Sequence, residues 1–135
     1  MAFTALAVRV YKDPVTVQWA EGIRENFNEI HDHMAIHAWV RFNGAGSPAV
    51  DDGNNVSSIT DSGAGQYLIN FTTGFASANY CMAGSAQRSA GTNEVTVCFD
   101  NGVAPAVGSC EINVLSDSSL VDNTAVCVMF IGTKG

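Results

Sequence analysis

The sequence predicts a mainly β protein: an N-terminal strand and one α-helix, followed by an antiparallel β-sandwich of jelly-roll-like type. Three observations carry that prediction. From residue 36 onward, short apolar runs alternate with Gly, Asn and Asp turn signals. Between residues 14 and 37 the apolar period lengthens to that of a helix. Charged residues are 14% of the chain, against about 25% in an ordinary soluble domain. Ser, Thr, Asn and Gly take roughly a third of the positions, a composition suited to strands and turns. With 47% apolar residues over 135 positions, one core is well supplied and no second domain is called for.

The elements follow in order. Residues 3–11 are β-prone, with Leu6, Val8 and Val10 on one face and Arg9 and Tyr11 on the other. A helix separates this strand from all others, so residues 1–12 form a docking segment that pairs with another chain or a host surface, through Phe3, Leu6, Val8 and Val10. Asp13 suits an N-cap and Pro14 the first helical position. The helix is expected to run to Met34 or His37, giving a segment 13–37. Its apolar stripe is Trp19, Ile23, Phe27, Ile30 and Met34, with Gly22 a mild weakness inside it. In heptad register, Ile23 and Ile30 take a positions, Asn26 and His33 take d, and Phe27 and Met34 fall at e. Two readings stay open on periodicity alone: a short three-helix stalk with polar layers, or one amphipathic helix packed on its own domain.

The sandwich spans 38–135. Its strands are expected at 36–43, 55–60, 65–72, 79–85, 94–99, 110–115 and 125–131. The turns between them are Asn43-Gly44, Asp52-Gly53-Asn54-Asn55, Asp61-Ser62-Gly63, Asn101-Gly102 and Ser116-Asp117-Ser118-Ser119.

Composition and motif content narrow the function. A net charge of −7 with pI near 4.6 argues against an electrostatic nucleic-acid binder. The longest apolar run, Ala125–Ile131, is too short to span a bilayer. The start, Met1-Ala2-Phe3-Thr4-Ala5-Leu6, is a poor secretory signal. No GxSxG elbow, P-loop, GxGxxG or HExxH occurs. His31, His33 and His37 all lie at the end of the predicted helix, far from any nucleophile on the sandwich. His33 and His37 at i, i+4 have metal-ligand spacing, but no carboxylate or Cys completes a set, and a polar stalk layer is the preferred reading. Asp51-Asp52 reads as turn chemistry. No cofactor is implied. Of the aromatics Trp39, Tyr67, Phe71, Phe75, Tyr80 and Phe99, most are expected in strand cores, the alternative being a sugar-binding groove. Cys81, Cys98, Cys110 and Cys127 include no CxxC pair; they read as reduced thiols, with Cys98 and Cys127 buried as small hydrophobes, cross-strand disulfides being the alternative in an extracellular particle.

Two stretches carry a resemblance. Ala38-Trp39-Val40-Arg41-Phe42-Asn43-Gly44, then Asn55-Val56-Ser57-Ser58-Ile59-Thr60-Asp61-Ser62-Gly63-Ala64-Gly65-Gln66-Tyr67-Leu68-Ile69-Asn70-Phe71-Thr72-Thr73, then Ala78-Asn79-Tyr80-Cys81 resemble a β-domain of tail fibres and other bacteriophage structural proteins, marine phages especially. Asp13-Pro14-Val15-Thr16 with Trp19, Ile23, Asn26-Phe27 and His31 resembles the N-terminal helix of many phage fibre and appendage proteins. The resemblance implies a trimer joined through the helix and located in the virion, assembled in the host bacterial cytoplasm. The expected function is a non-enzymatic fibre or knob-type appendage on the tail, neck or head. A capsid decoration (cement) protein and a glycan-binding module for host adsorption are the alternatives. The implied partners are further copies of the chain, other virion proteins and, in the last alternative, a host surface glycan; neither nucleic acid nor membrane insertion is implied.

Overall fold

The computed structural model describes residues 17–34, 36–87 and 94–135. The expected strand at 3–11 and the helix start at Asp13-Pro14 lie outside them. The helix, α1, spans Val17–Met34. Nine strands follow: β1 Ile36–Asn43, β2 Ala49–Asn54, β3 Val56–Gly63, β4 Gln66–Phe71, β5 Cys81–Ala86, β6 Val95–Phe99, β7 Ser109–Ser116, β8 Ser119–Leu120 and β9 Val126–Ile131. They form two antiparallel sheets, ordered β2-β1-β9-β5 and β3-β4-β7-β6, with β8 paired to β7. The predicted mainly β sandwich after a single helix is the observed architecture.

The core follows from period-2 alternation. In β4, Tyr67, Ile69 and Phe71 are buried; in β7, Cys110, Ile112 and Val114; in β9, Val126, Val128 and Phe130; in β1, Ala38, Val40 and Phe42. These inward rows from the central strands of both sheets make one cluster, with Val56, Ile59, Met82, Ala86, Val95 and Val97 of the edge strands packed around it. At one end Phe71, Phe75, Tyr80 and Phe130 meet largely edge to face, with ring centroids 4.5–5.8 Å apart.

The sheets join along both sides. On one, the chain leaves β2 and enters β3 through Asn55, at φ 57°. Its side chain closes the corner, accepting from Thr73 N–H at 2.7 Å and donating to Thr73 O at 2.9 Å. On the other, Gly84 of β5 faces Val97 of β6. A Cβ there would stand 2.7 Å from Val97 Cγ1, so the close approach of the two edges needs glycine.

Several expectations need correction. The helix ends at Met34, the earlier of its two expected ends, so His37 belongs to β1, the strand expected at 36–43, and not to the segment 13–37. A register shift between Ile36 and Ala38 makes room for His37 as an extra residue, turned edge-on to Phe75 at 6.3 Å. There is therefore no i, i+4 histidine pair on a helix. The segment expected as the turn 52–55 is mostly strand: β2 pairs with β1 as far as Asn54. Every β2 residue is exposed, so its sequence shows no inward phase. A second register shift, between Arg41 and Phe42 opposite β2, places the extra residue among Asp51 and Asp52. A bulged, doubly acidic edge strand resists pairing with other sheets, which accounts for these carboxylates better than a turn does. The short β8 was also missed. Among the cysteines, Cys110 is the buried one, Cys98 is half-buried, and Cys81 and Cys127 are exposed. Cys127 alternates with the inward Val126 and Val128, so the phase of β9 turns it outward.

Candidate interaction surfaces

The predicted oligomer-interface residues lie on a helix whose apolar side chains are uncovered. Trp19 is 63% exposed, Phe27 69%, Ile30 57% and Ile23 37%. Asn26 is exposed as well. His33 and Met34 belong to the last turn of α1, and their side chains lie outside the described set. Burying a large apolar side chain contributes about 1.5–3 kcal/mol. Four left in water on one helix favour a surface to pack against. The predicted docking residues Phe3, Leu6, Val8 and Val10 fall outside the described residues.

The outward faces of the two sheets differ in chemistry. On the β3-β4-β7-β6 sheet, polar side chains bond to one another. Asn70 Nδ2 donates to Ser58 Oγ at 3.1 Å and Thr60 Oγ1 at 3.3 Å. Asn113 Nδ2 donates to Asp100 Oδ1 at 2.9 Å, and Gln66 Nε2 approaches the same oxygen at 3.3 Å. The backbone N–H groups of Gly102 and Val103 donate to Asp100 Oδ2 at 2.6 and 2.9 Å. The Asn113 amide above all, with the Gly102 N–H next, holds the Asp100 carboxyl below the usual carboxylate range. The polar groups of this half-buried face bond to one another around Leu68 and Leu115.

The outward face of the β2-β1-β9-β5 sheet is apolar at its centre. Strand register sets its rows. Trp39, Met129 and Ala83 stand side by side; Arg41, Cys127 and Ser85 form a second row; Ile36, Ile131 and Cys81 form a third. Ile36 is 47% exposed and Ile131 40%. The displaced register at His37 is what brings Ile36 into line with Ile131. A trough of about 600 Å³ runs over this face, lined by Trp39, Met129, Cys127, Ala83 and Arg41 among others.

A second, polar cleft of about 420 Å³ lies at the β2–β3 corner, between His37, Asn54, Asn55, Thr72, Thr73 and Lys134. Among the described residues, no three of His, Cys, Asp and Glu gather closely enough to hold a metal ion. No described helix is long and apolar enough to cross a membrane. Of the six aromatics, Tyr67, Phe71, Phe75 and Tyr80 are core; Trp39 and Phe99 are each 37% exposed and lie on different sheets, so they do not share a groove.

Sequence reasoning missed the apolar outward rows. Their signal was the unbroken run Ala125–Ile131, which reads as a strand apolar on both faces. No family model, curated protein or solved structure matches the chain.

Proposed function

We propose that the chain is a non-enzymatic structural component of a phage particle, an oligomeric fibre or knob-type appendage on the tail, neck or head. The observation that carries this reading is α1: an amphipathic helix placed ahead of a closed sandwich, with Trp19, Ile23, Phe27 and Ile30 uncovered. Three copies side by side bury that stripe around one axis, with Ile23 and Ile30 as a layers. Asn26 at a d position supplies a polar layer that fixes register and strand number. The stalk stops at Met34, because the next heptad position, His37, is already strand.

The body suits such a role. The polar side chains of the β3-β4-β7-β6 sheet bond to one another, and the resemblance of residues 38–44, 55–73 and 78–81 to phage β-domains points to a virion. Within the sandwich the chain crosses between sheets after β2, β4, β5 and β8, and the late strands β7 and β9 lie inside their sheets. That interleaving supports a jelly-roll-like arrangement. Residues 1–12, through Phe3, Leu6, Val8 and Val10, dock the appendage onto other virion proteins. A capsid decoration protein would use the same parts. The polar cleft at Asn54, Asn55, Thr72 and Lys134 is the feature that favours a glycan-binding variant of this reading.

Sedimentation of the purified chain tests the proposal. A trimer that Ile30→Asp converts to monomers supports it, since the variant buries a charge in the stalk. A monomeric parent chain at micromolar concentration refutes the stalk. Imaging of labelled chain on intact particles then separates tail or neck placement from a capsid lattice, and absence from particles refutes the virion role.

A further inference from the structure

The α1 stripe does not exhaust the uncovered apolar surface. We propose that the outward face of the β2-β1-β9-β5 sheet is itself an interface between copies of this chain, its central rows packed against neighbouring subunits of the same oligomer. This rests on the oligomeric reading above and adds the body to the stalk.

Three observations select a second copy as the occupant. The first is charge. The chain carries −7 overall, and like-charged copies repel each other across most of their surface. The rows Trp39–Met129–Ala83 and Ile36–Ile131–Cys81 carry no charge, and in the remaining row Arg41 stands opposite Asp52 of β2 in register. The face can therefore meet its own copy without opposing like charges at its centre.

The second is continuity. Only Ala35 separates the end of α1 from Ile36, the first residue of the apolar rows. Copies held together along α1 bring the first residues of their β1 strands, Ile36 included, near one another.

The third is area. The helix stripe is about 27 Å long and roughly 10 Å wide. Three strands over about five residues add a patch of about 14 by 17 Å. Each supplies roughly 250 Å². Together they give about 500 Å² per copy, so a trimer joined through both removes about 1,500 Å² from water, against about 750 Å² for one joined through the helix alone. The sequence of β9 agrees: Val-Cys-Val-Met-Phe-Ile is apolar on both faces, the pattern of a strand covered on both.

Two cysteines report on the two faces. Cys127 lies on the central strand of this face, between Arg41 and Ser85 and next to the Trp39–Met129–Ala83 row, while Cys98 pairs in register with Asn113 on the outward face of the other sheet. Site-resolved alkylation of the native full-length chain, run beside sedimentation across a concentration series, tests the proposal. The parent oligomer should label Cys127 at least about tenfold more slowly than Cys98. Met129→Glu, at an exposed site where folding is not at stake, should weaken association by at least about tenfold, because it buries an unpaired charge, and should bring Cys127 labelling up to the Cys98 rate. A parent oligomer with fast Cys127 labelling and no response to Met129→Glu overturns the sheet interface and leaves the helical stalk standing. A parent monomer with both thiols fast overturns both readings. A parent monomer with Cys127 still protected overturns the second copy in favour of a cover from the same chain, residues 1–12.

Discussion

Removal of one oxygen tests the account of how the two sheets are tied. The Tyr67 ring is fully buried in β4 and meets Phe42 of the opposite sheet at 5.0 Å, edge to face. Its hydroxyl lies 3.1 Å from the Gly44 carbonyl oxygen and 3.0 Å from Asp122 Oδ1, so one proton serves two acceptors. Asp122 also accepts from Gly65 N–H at 2.8 Å, and Gly44 N–H donates to Asn123 O at 2.8 Å. The loops after β1 and before β9 are thus pinned to the tip of a β4 side chain. Tyr67→Phe keeps the ring and its packing. Asp122 is exposed and regains water, whereas Gly44 is buried and its carbonyl loses a partner. A net hydrogen bond contributes about 0.5–1.5 kcal/mol, and a stranded buried acceptor costs about 1–3. The expected loss is therefore about 1–2 kcal/mol, or a fall in Tm of roughly 3–6 °C for a domain of this size. Urea denaturation followed by tryptophan fluorescence and circular dichroism measures it. A loss under about 0.5 kcal/mol, with an unchanged m-value, would refute the pinning argument.

Three further outcomes are expected. Burial pushes the phenols of Tyr67 and Tyr80 well above their ordinary value, and burial pushes the Cys110 thiol up to about 11. Each group holds its proton more tightly folded than unfolded, so the stability it contributes is complete below its unfolded pKa. That stability falls as pH climbs past about 8.5 for Cys110 and about 10 for the tyrosines; denaturation at stepped alkaline pH should show the decline, and a flat profile to pH 12 would contradict it. Cys110 should stay unlabelled in the native chain, and Cys110→Ala, which removes the sulfur packed in the core and its contacts with Glu111 O and the Tyr80 hydroxyl, should cost about 1–3 kcal/mol; rapid native labelling at this site would show that β7 is not central. Gly53→Val should destabilise the β1–β2 edge, since a Cβ there stands 2.8 Å from Trp39 O; amide exchange should quicken along β2 while β4 and β7 stay protected, and uniform exchange would argue against a local role.

The positions of β4 and β7 were legible because each alternates a wholly apolar face with a largely polar one. In β4, Tyr67, Ile69 and Phe71 alternate with Gln66, Leu68 and Asn70; in β7, Cys110, Ile112 and Val114 alternate with Glu111 and Asn113. Flanking Gly, Asn and Asp residues closed the hairpins, as at Gly63 and Gly65, both at positive φ. That residues 17–34 form a helix was equally plain, but where it ends was not. His37 both continues the heptad count and belongs to the expected strand 36–43, so the sequence left the boundary between Met34 and His37; pairing of β1 with β9 on either side of His37 assigns it to the strand.

Illegibility elsewhere has a common physical origin. Period-2 reading needs the two faces of a strand to differ. In β2 both faces are wet, and Ala49-Val50-Asp51-Asp52-Gly53-Asn54 reads as a turn although it is hydrogen-bonded to β1 along its length. In β9 both faces are apolar, so the phase that sends Cys127 outward and Val128 inward cannot be chosen from the run itself. The neighbours resolve it: Val128 lies opposite Val40 and Gly84, and Cys127 opposite Arg41 and Ser85, so the charged and hydroxylic partners identify the outer side. The two failures carry opposite meanings. A strand polar on both faces belongs at an edge, where bulge and charge keep other sheets away. A strand apolar on both faces in the middle of a sheet has two surfaces to cover, and the sandwich covers only one of them.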